Sequence, residues 1–126
     1  MRFSQAVLWL CSILFAFFGT ISVLWPKEIA AAADIELPTA TARIDFAATY
    51  GGLELGIAAF LVFCAQRNER VRLGLLATAF CIAGFALTHA IGIVLAKGDV
   101  RPILYLVLVF EMSGVALSLW AAQRTV

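Results

Sequence analysis

Apolar residues fill four stretches of the chain, about Gln5–Trp25, Asp45–Ala65, Leu73–Ala96 and Ile103–Ala122, and polar residues collect in the breaks between them. Each stretch has about 20 residues or slightly more, which at about 1.5 Å per residue matches a hydrocarbon core of about 30 Å. Lipid offers no partner for a free peptide group, so each stretch is predicted as a helix. The expected fold is all-α, a four-transmembrane-helix bundle forming a single integral membrane domain over residues 1–126.

The breaks carry their own signals. Trp25 suits the membrane interface and Pro26 cannot easily continue a helix. The segment QRNERVR, residues 66–72, separates the second and third spans, and KGDVRP, residues 97–102, separates the third and fourth. In the latter, Gly98 is predicted to cap the outgoing helix and Pro102 to sit in the first turn of the next. Such tight connections make the last three spans antiparallel neighbours. The longer connection, residues 26–44, reads as a short surface helix within EIAAAADIE, followed by a lead-in with Thr41 as its cap. Arg2, the first apolar run and Ala30–Ala33 have the layout of a signal peptide. The run from Ala6 to Leu24 nevertheless exceeds the usual signal core of about 7–15 residues, so a retained span is expected.

Composition strengthens the membrane reading. Hydrophobic residues make up 63% of the 126 and charged residues 13%, with a mean hydropathy of +1.01. Soluble domains carry about 45–50% and about 25%. A net charge of +1 provides no basic field for nucleic acid, so no nucleic-acid partner is expected. Cys11, Cys64 and Cys81 are dispersed in apolar runs without a C-x-x-C, which argues against disulfides, structural zinc and thiol redox chemistry. With four spans, Arg2, Arg67, Arg70, Arg72 and Arg124 share one side. Lys27, Arg43, Lys97 and Arg101 share the other, diluted by Glu28, Asp34, Glu36, Asp45 and Asp99. The positive-inside rule then places both termini in the cytoplasm, with a bacterial inner membrane as the expected location.

Against this background three ionisable residues stand out within spans: Glu54, His89 and Glu111. Glu54 is nine positions below Asp45, His89 eight before Lys97, and Glu111 nine after Pro102. All three are therefore expected about 12–14 Å below the outer boundary. A charge at mid-bilayer costs about 2.5–3.5 kcal/mol on insertion scales, so these groups should avoid lipid and point inward. At about 100° per residue, Arg43, Ala47, Tyr50 and Glu54 share one stripe of the second span. Thr78, Phe85 and His89 share one on the third, and Leu104, Leu108, Glu111, Val115 and Ser118 one on the fourth. Ala48, Gly52 and Gly56 recur at every fourth position, a spacing for close helix packing against the first span or another copy, and Gly114 and Ser118 are read likewise. The Gly51–Gly52 pair is also read as close packing.

Either the polar residues form a satisfied network that fixes helix register, sharing a proton or an ion pair, or they line an outward-facing pocket. One histidine and no i, i+4 ligand pair argue against a metal, bis-histidine haem is excluded, and no cofactor is expected. There is no G-x-S-x-G and no P-loop.

The segments RIDFAATYGGLELGIAAFLVF, GFALTHAIGIVLAKGD and LVFEMSGVALSLW resemble a family of small bacterial four-helix membrane proteins known as a domain of unknown function. Tyr50, Gly51, Gly52 and Gly56, a Y-G-G-x-x-x-G pattern, carry the most specific part. The resemblance implies four spans and a linked Glu54–Glu111 pair, with His89 standing where the family often has arginine. More distantly, the chain is similar to DoxX-like membrane proteins, from which no redox activity carries over.

The leading expectation is a non-enzymatic ligand-binding or accessory membrane subunit. Its pocket would be built from Glu54, His89 and Glu111, with Tyr50 at the entrance and Arg43 above. The expected partners are the lipid bilayer, a lipid, quinone-like molecule or cationic amphiphile, and another copy or a membrane protein. Two alternatives stay open: a small proton-coupled transporter, and a membrane acid–base enzyme acting on a lipid-like substrate.

Overall fold

Four helices long and apolar enough to cross a membrane run through the chain. A computed structural model describes residues 2–125, and no strand occurs among them. In chain order the helices are α1 (Phe3–Leu24), the short α2 (Pro26–Ala32), α3 (Ala40–Ala65), α4 (Asn68–Leu95) and α5 (Pro102–Gln123). The all-α expectation and its four membrane-capable helices are met. Many large apolar side chains remain exposed along them, among them Phe80, Leu87, Val94, Leu106 and Val109. In water such a surface would drive association; in a bilayer it is the lipid-facing side.

The connections follow local chemistry. α1 stops at Leu24, and Pro26 opens α2 at a position where its missing N–H costs nothing. α2 ends with Asp34 in the left-handed region, φ 58°, where the Ile35 N–H reaches back to the Ala30 carbonyl. α3 is capped by Thr39, whose Oγ1 accepts from the Ala42 N–H at 3.1 Å. Thr41, the expected cap, lies inside the first turn instead. A cap must precede the helix and turn its oxygen onto the third N–H, and Thr39 does so. α4 closes through Lys97 and Gly98, both at positive φ, with the Gly98 N–H bonding the Ile93 carbonyl. Pro102 then starts α5.

One departure from regular helix lies inside α3. Residues Ala47–Gly52 form a π-helical stretch between two α-helical segments, and the Leu53 N–H bonds the Ala48 carbonyl five residues back. The wide turn absorbs an extra residue. Phe46 and Gly51, five apart, are buried, whereas Tyr50 is exposed. Stripes drawn at α-helical spacing therefore do not carry across this stretch.

Two compact units are distinguishable, Trp9–Phe63 and the segments flanking it. In the Trp9–Phe63 unit, α1 and α3 meet along small residues. Ser12 Oγ donates to the Ala58 carbonyl at 3.2 Å. A Cβ on Gly19 would come within 2.9 Å of Leu55 Cγ and 3.0 Å of the Gly51 carbonyl oxygen, and one on Gly51 would land on Val23 Cγ2. Absent side chains let the two backbones approach, which is how helices associate where lipid removes the hydrophobic driving force.

In the flanking unit, α4 and α5 form an antiparallel pair. The start of α1 is tied to two helix ends. Ser4 Oγ donates to the Ala121 carbonyl and Gln5 Nε2 to the Ala65 carbonyl, each at 2.8 Å. Phe3 packs edge-on against Trp120 with centroids 4.9 Å apart, and Leu8 lies against Gly74.

Candidate functional site

Four hydroxyl groups inside the long helices are satisfied within their own helix. Thr20, Thr78, Thr88 and Ser113 each donate to the carbonyl four residues earlier, at 2.7–2.9 Å. That bond removes the cost of a bare hydroxyl in lipid without needing a second helix. The intramembrane ionisable groups have no such recourse, and each must find its environment elsewhere.

His89 and Glu111 find each other. His89 Nδ1 and Glu111 Oε2 share a hydrogen bond of 2.9 Å across the α4–α5 interface. The Glu111 side chain is 12% exposed and that of His89 32%. The short Lys97–Arg101 connection forces this meeting, because the two residues lie at similar distances from it along antiparallel helices. Their supports can be read residue by residue. On α5 the expected stripe Leu104, Leu108, Glu111, Val115 and Ser118 is the less exposed face, with Ser118 fully buried. On α4 the buried line runs through Thr78, Ala86 and Ile93 and passes His89, whereas Phe85 turns outward at 43% exposure. Gly114 admits Ile82, whose Cδ1 would stand 3.2 Å from a Cβ there, bringing α4 and α5 together one turn along α5 from Glu111.

Glu54, in the Trp9–Phe63 unit, is placed differently. It sits in the first turn after the π-helical stretch. Its Oε2 is shielded from solvent and has no hydrogen-bond partner among the described residues. Leaving such an oxygen unpaired costs about 1–3 kcal/mol, and more if it is charged. Tyr50 does not join it: the wide turn swings Tyr50 outward, where its ring stacks on Phe46 with centroids 4.6 Å apart. Arg43 is half-buried three turns earlier.

Of the small residues expected at the packing face, Ala48, Gly52 and Gly56 are exposed. A Cβ on Gly56 would meet nothing within 4 Å, and one on Gly52 only the Ala47 carbonyl oxygen at that limit. The close approach to the first span falls to Gly51, their neighbour, because the π-helical turn rotates that glycine inward. Sequence reasoning passed over Gly19, Ser4, Ser12 and Ser22, all buried on α1. Their signal was present: Ser4, Leu8, Cys11, Phe15, Gly19 and Ser22 recur at steps of three or four.

No group of three or more metal-ligating side chains gathers among the described residues. The two acidic centres can accept hydrogen bonds, hold protons or offset a positive charge.

Fold and centres together define a small helical protein with four helices long and apolar enough to cross a membrane and ionisable groups on three of them. More particularly, the chain matches the model of a domain of unknown function, DUF4345, over residues 3–122, and belongs to that family. Comparison with curated proteins and with solved structures gives no match.

Proposed function

We propose that this protein is a non-enzymatic binding subunit of a bacterial inner membrane that takes a cationic or hydrogen-bond-donating amphiphile on Glu54, with both termini in the cytoplasm. The observation that carries the reading is the shielded Glu54 Oε2 without a partner. Glu111 has its own partner in His89, so Glu54 is the carboxyl left to meet a donor from outside the chain. Intramembrane ionisable residues mark ligand, ion or proton sites by default. A π-helical turn directly before Glu54 adds weight, because such turns concentrate at functional positions. The orientation rests on the arginine-rich side of the sequence.

Native mass spectrometry of gently extracted protein tests the proposal, with wild type beside Glu54→Gln and Glu111→Gln. A small molecule bound to wild type and to Glu111→Gln but lost from Glu54→Gln is the expected result. No bound molecule in any sample, with Glu54→Gln melting below wild type, would make Glu54 a structural group. Proton-coupled flux in vesicles abolished by Glu54→Gln would instead identify a transporter, and turnover of a lipid would identify an enzyme.

A further inference from the structure

At the end of the flanking unit where α1 and α4 begin and α5 finishes, a shallow polar cleft opens, lined by Arg2, Asn68, Arg124 and Thr125 and floored by Val71. We infer that this cleft binds the phosphate of an anionic phospholipid in the leaflet on the side of the termini.

Three observations converge on it. The first is charge. Arg2 and Arg124 are exposed and come from opposite ends of the chain to the rim of one cleft. Arg124 is held in place, its Cζ 4.3 Å from the centroid of the Trp120 ring. A guanidinium stacked on an aromatic face keeps its donors pointing sideways, with little mobility left to lose on binding a phosphate.

The second is backbone polarity. α1 and α4, of 22 and 28 residues, both start at the cleft. Helix N-termini present free N–H groups and a partial positive charge that favour phosphate. Arg67, which precedes α4, makes no side-chain capping bond. Among the described residues, the first turn of α4 carries one acidic side chain, Glu69, set against Arg2, Arg67, Arg70, Arg72 and Arg124 at this end.

The third selects lipid over a soluble anion. The cleft lies at the end of apolar spans, and beside it stand Phe3 and Trp120, 47% and 44% exposed and packed edge to face. Aromatic side chains of this kind settle at the level of lipid headgroups. A phospholipid seated here would set its phosphate between the guanidinium groups and its acyl chains against the aromatic pair. The cleft's remaining polar side chains are already used: Ser4 and Gln5 tie α1 to its neighbours. The helices thus fix the walls before any lipid arrives.

The test is native mass spectrometry of the full chain in detergent, titrated separately with phosphatidylglycerol, phosphatidylcholine and inorganic phosphate. Wild type is expected to retain phosphatidylglycerol in preference to phosphatidylcholine. Arg2→Gln/Arg124→Gln should lower its affinity about twenty-five-fold, each arginine near an anionic surface contributing about fivefold. Arg2→Lys/Arg124→Lys should keep most of the binding, and Lys97→Gln, at the other end of α4, all of it. Equal affinity in the Gln variant, or equal binding of phosphatidylcholine, would overturn the inference. Displacement of the lipid by millimolar inorganic phosphate would overturn the lipid assignment and make the cleft a free-anion site. Matching helicity and melting temperature of the two Arg2/Arg124 variants exclude misfolding as the cause.

Discussion

His89 Nδ1 and Glu111 Oε2 lie 2.9 Å apart in the interface of the last two helices, one of them more enclosed than the other. The pair is a polar contact between α4 and α5. Removing one member strands the other in lipid or apolar protein, whereas replacing both removes the problem. His89→Leu and Glu111→Leu should each destabilise the protein by about 1–2 kcal/mol, and the double substitution by less than their sum. Thermal melting of the four proteins in one detergent checks this; strictly additive losses would show that the bond contributes nothing of its own.

Glu54 should behave in the opposite way. Its shielded oxygen has no partner to lose, so Glu54→Leu is expected to stabilise the protein by about 1–3 kcal/mol while removing the proposed ligand site. Stability gained together with binding lost is the usual mark of a functional group held at a cost. The same melting series reads it, and a clear fall in stability would argue that Glu54 serves the fold.

Neighbouring glycines should differ sharply. Gly51→Ala places a methyl on Val23 and beside the Gly19 carbonyl oxygen, 3.1 Å away. Overpacking of this kind costs about 1–3 kcal/mol. Gly56→Ala meets open space and should leave melting within about 0.5 kcal/mol of wild type. If the Ala48–Gly52–Gly56 face receives a second copy, Gly56→Leu will change the oligomer mass in detergent without changing the fold.

The cap offers a smaller contrast. Thr39→Ala removes an acceptor from the Ala42 N–H and should cost about 1 kcal/mol, seen as faster amide exchange in the first turn of α3. Thr41→Ala should leave that exchange unchanged.

The spans were legible because hydropathy over about twenty residues is a large signal that no local detail reverses. The His89–Glu111 contact was legible in part for a similar reason: a short connection and two regular helices make distance along the chain a measure of depth. The register of α3 was not legible. Whether six residues close bonds to the fourth or the fifth preceding carbonyl depends on small differences in packing, and Tyr50-Gly51-Gly52 carries no letter that announces the choice. An α-helical wheel therefore put Tyr50 beside Glu54 and Gly52 at the seam, while the folded chain puts Gly51 at the seam and Tyr50 outside. Thr39 and Thr41 show the same limit on a smaller scale, since both are good caps and the start of the helix decides between them.

The wide turn in α3 also changes what counts as a mutation. It stores one residue more than an ordinary helix would need between Phe46 and Glu54. Deleting any one residue from Ala47–Gly52 would let the helix close normally and leave the carboxylate close to its present direction, because the residue removed is the surplus one that the wide turn absorbs. Within the family, a gap of one position here would therefore keep Glu54 in phase with the rest of the helix, and the residues of the turn itself, Tyr50 among them, are the ones that would change face.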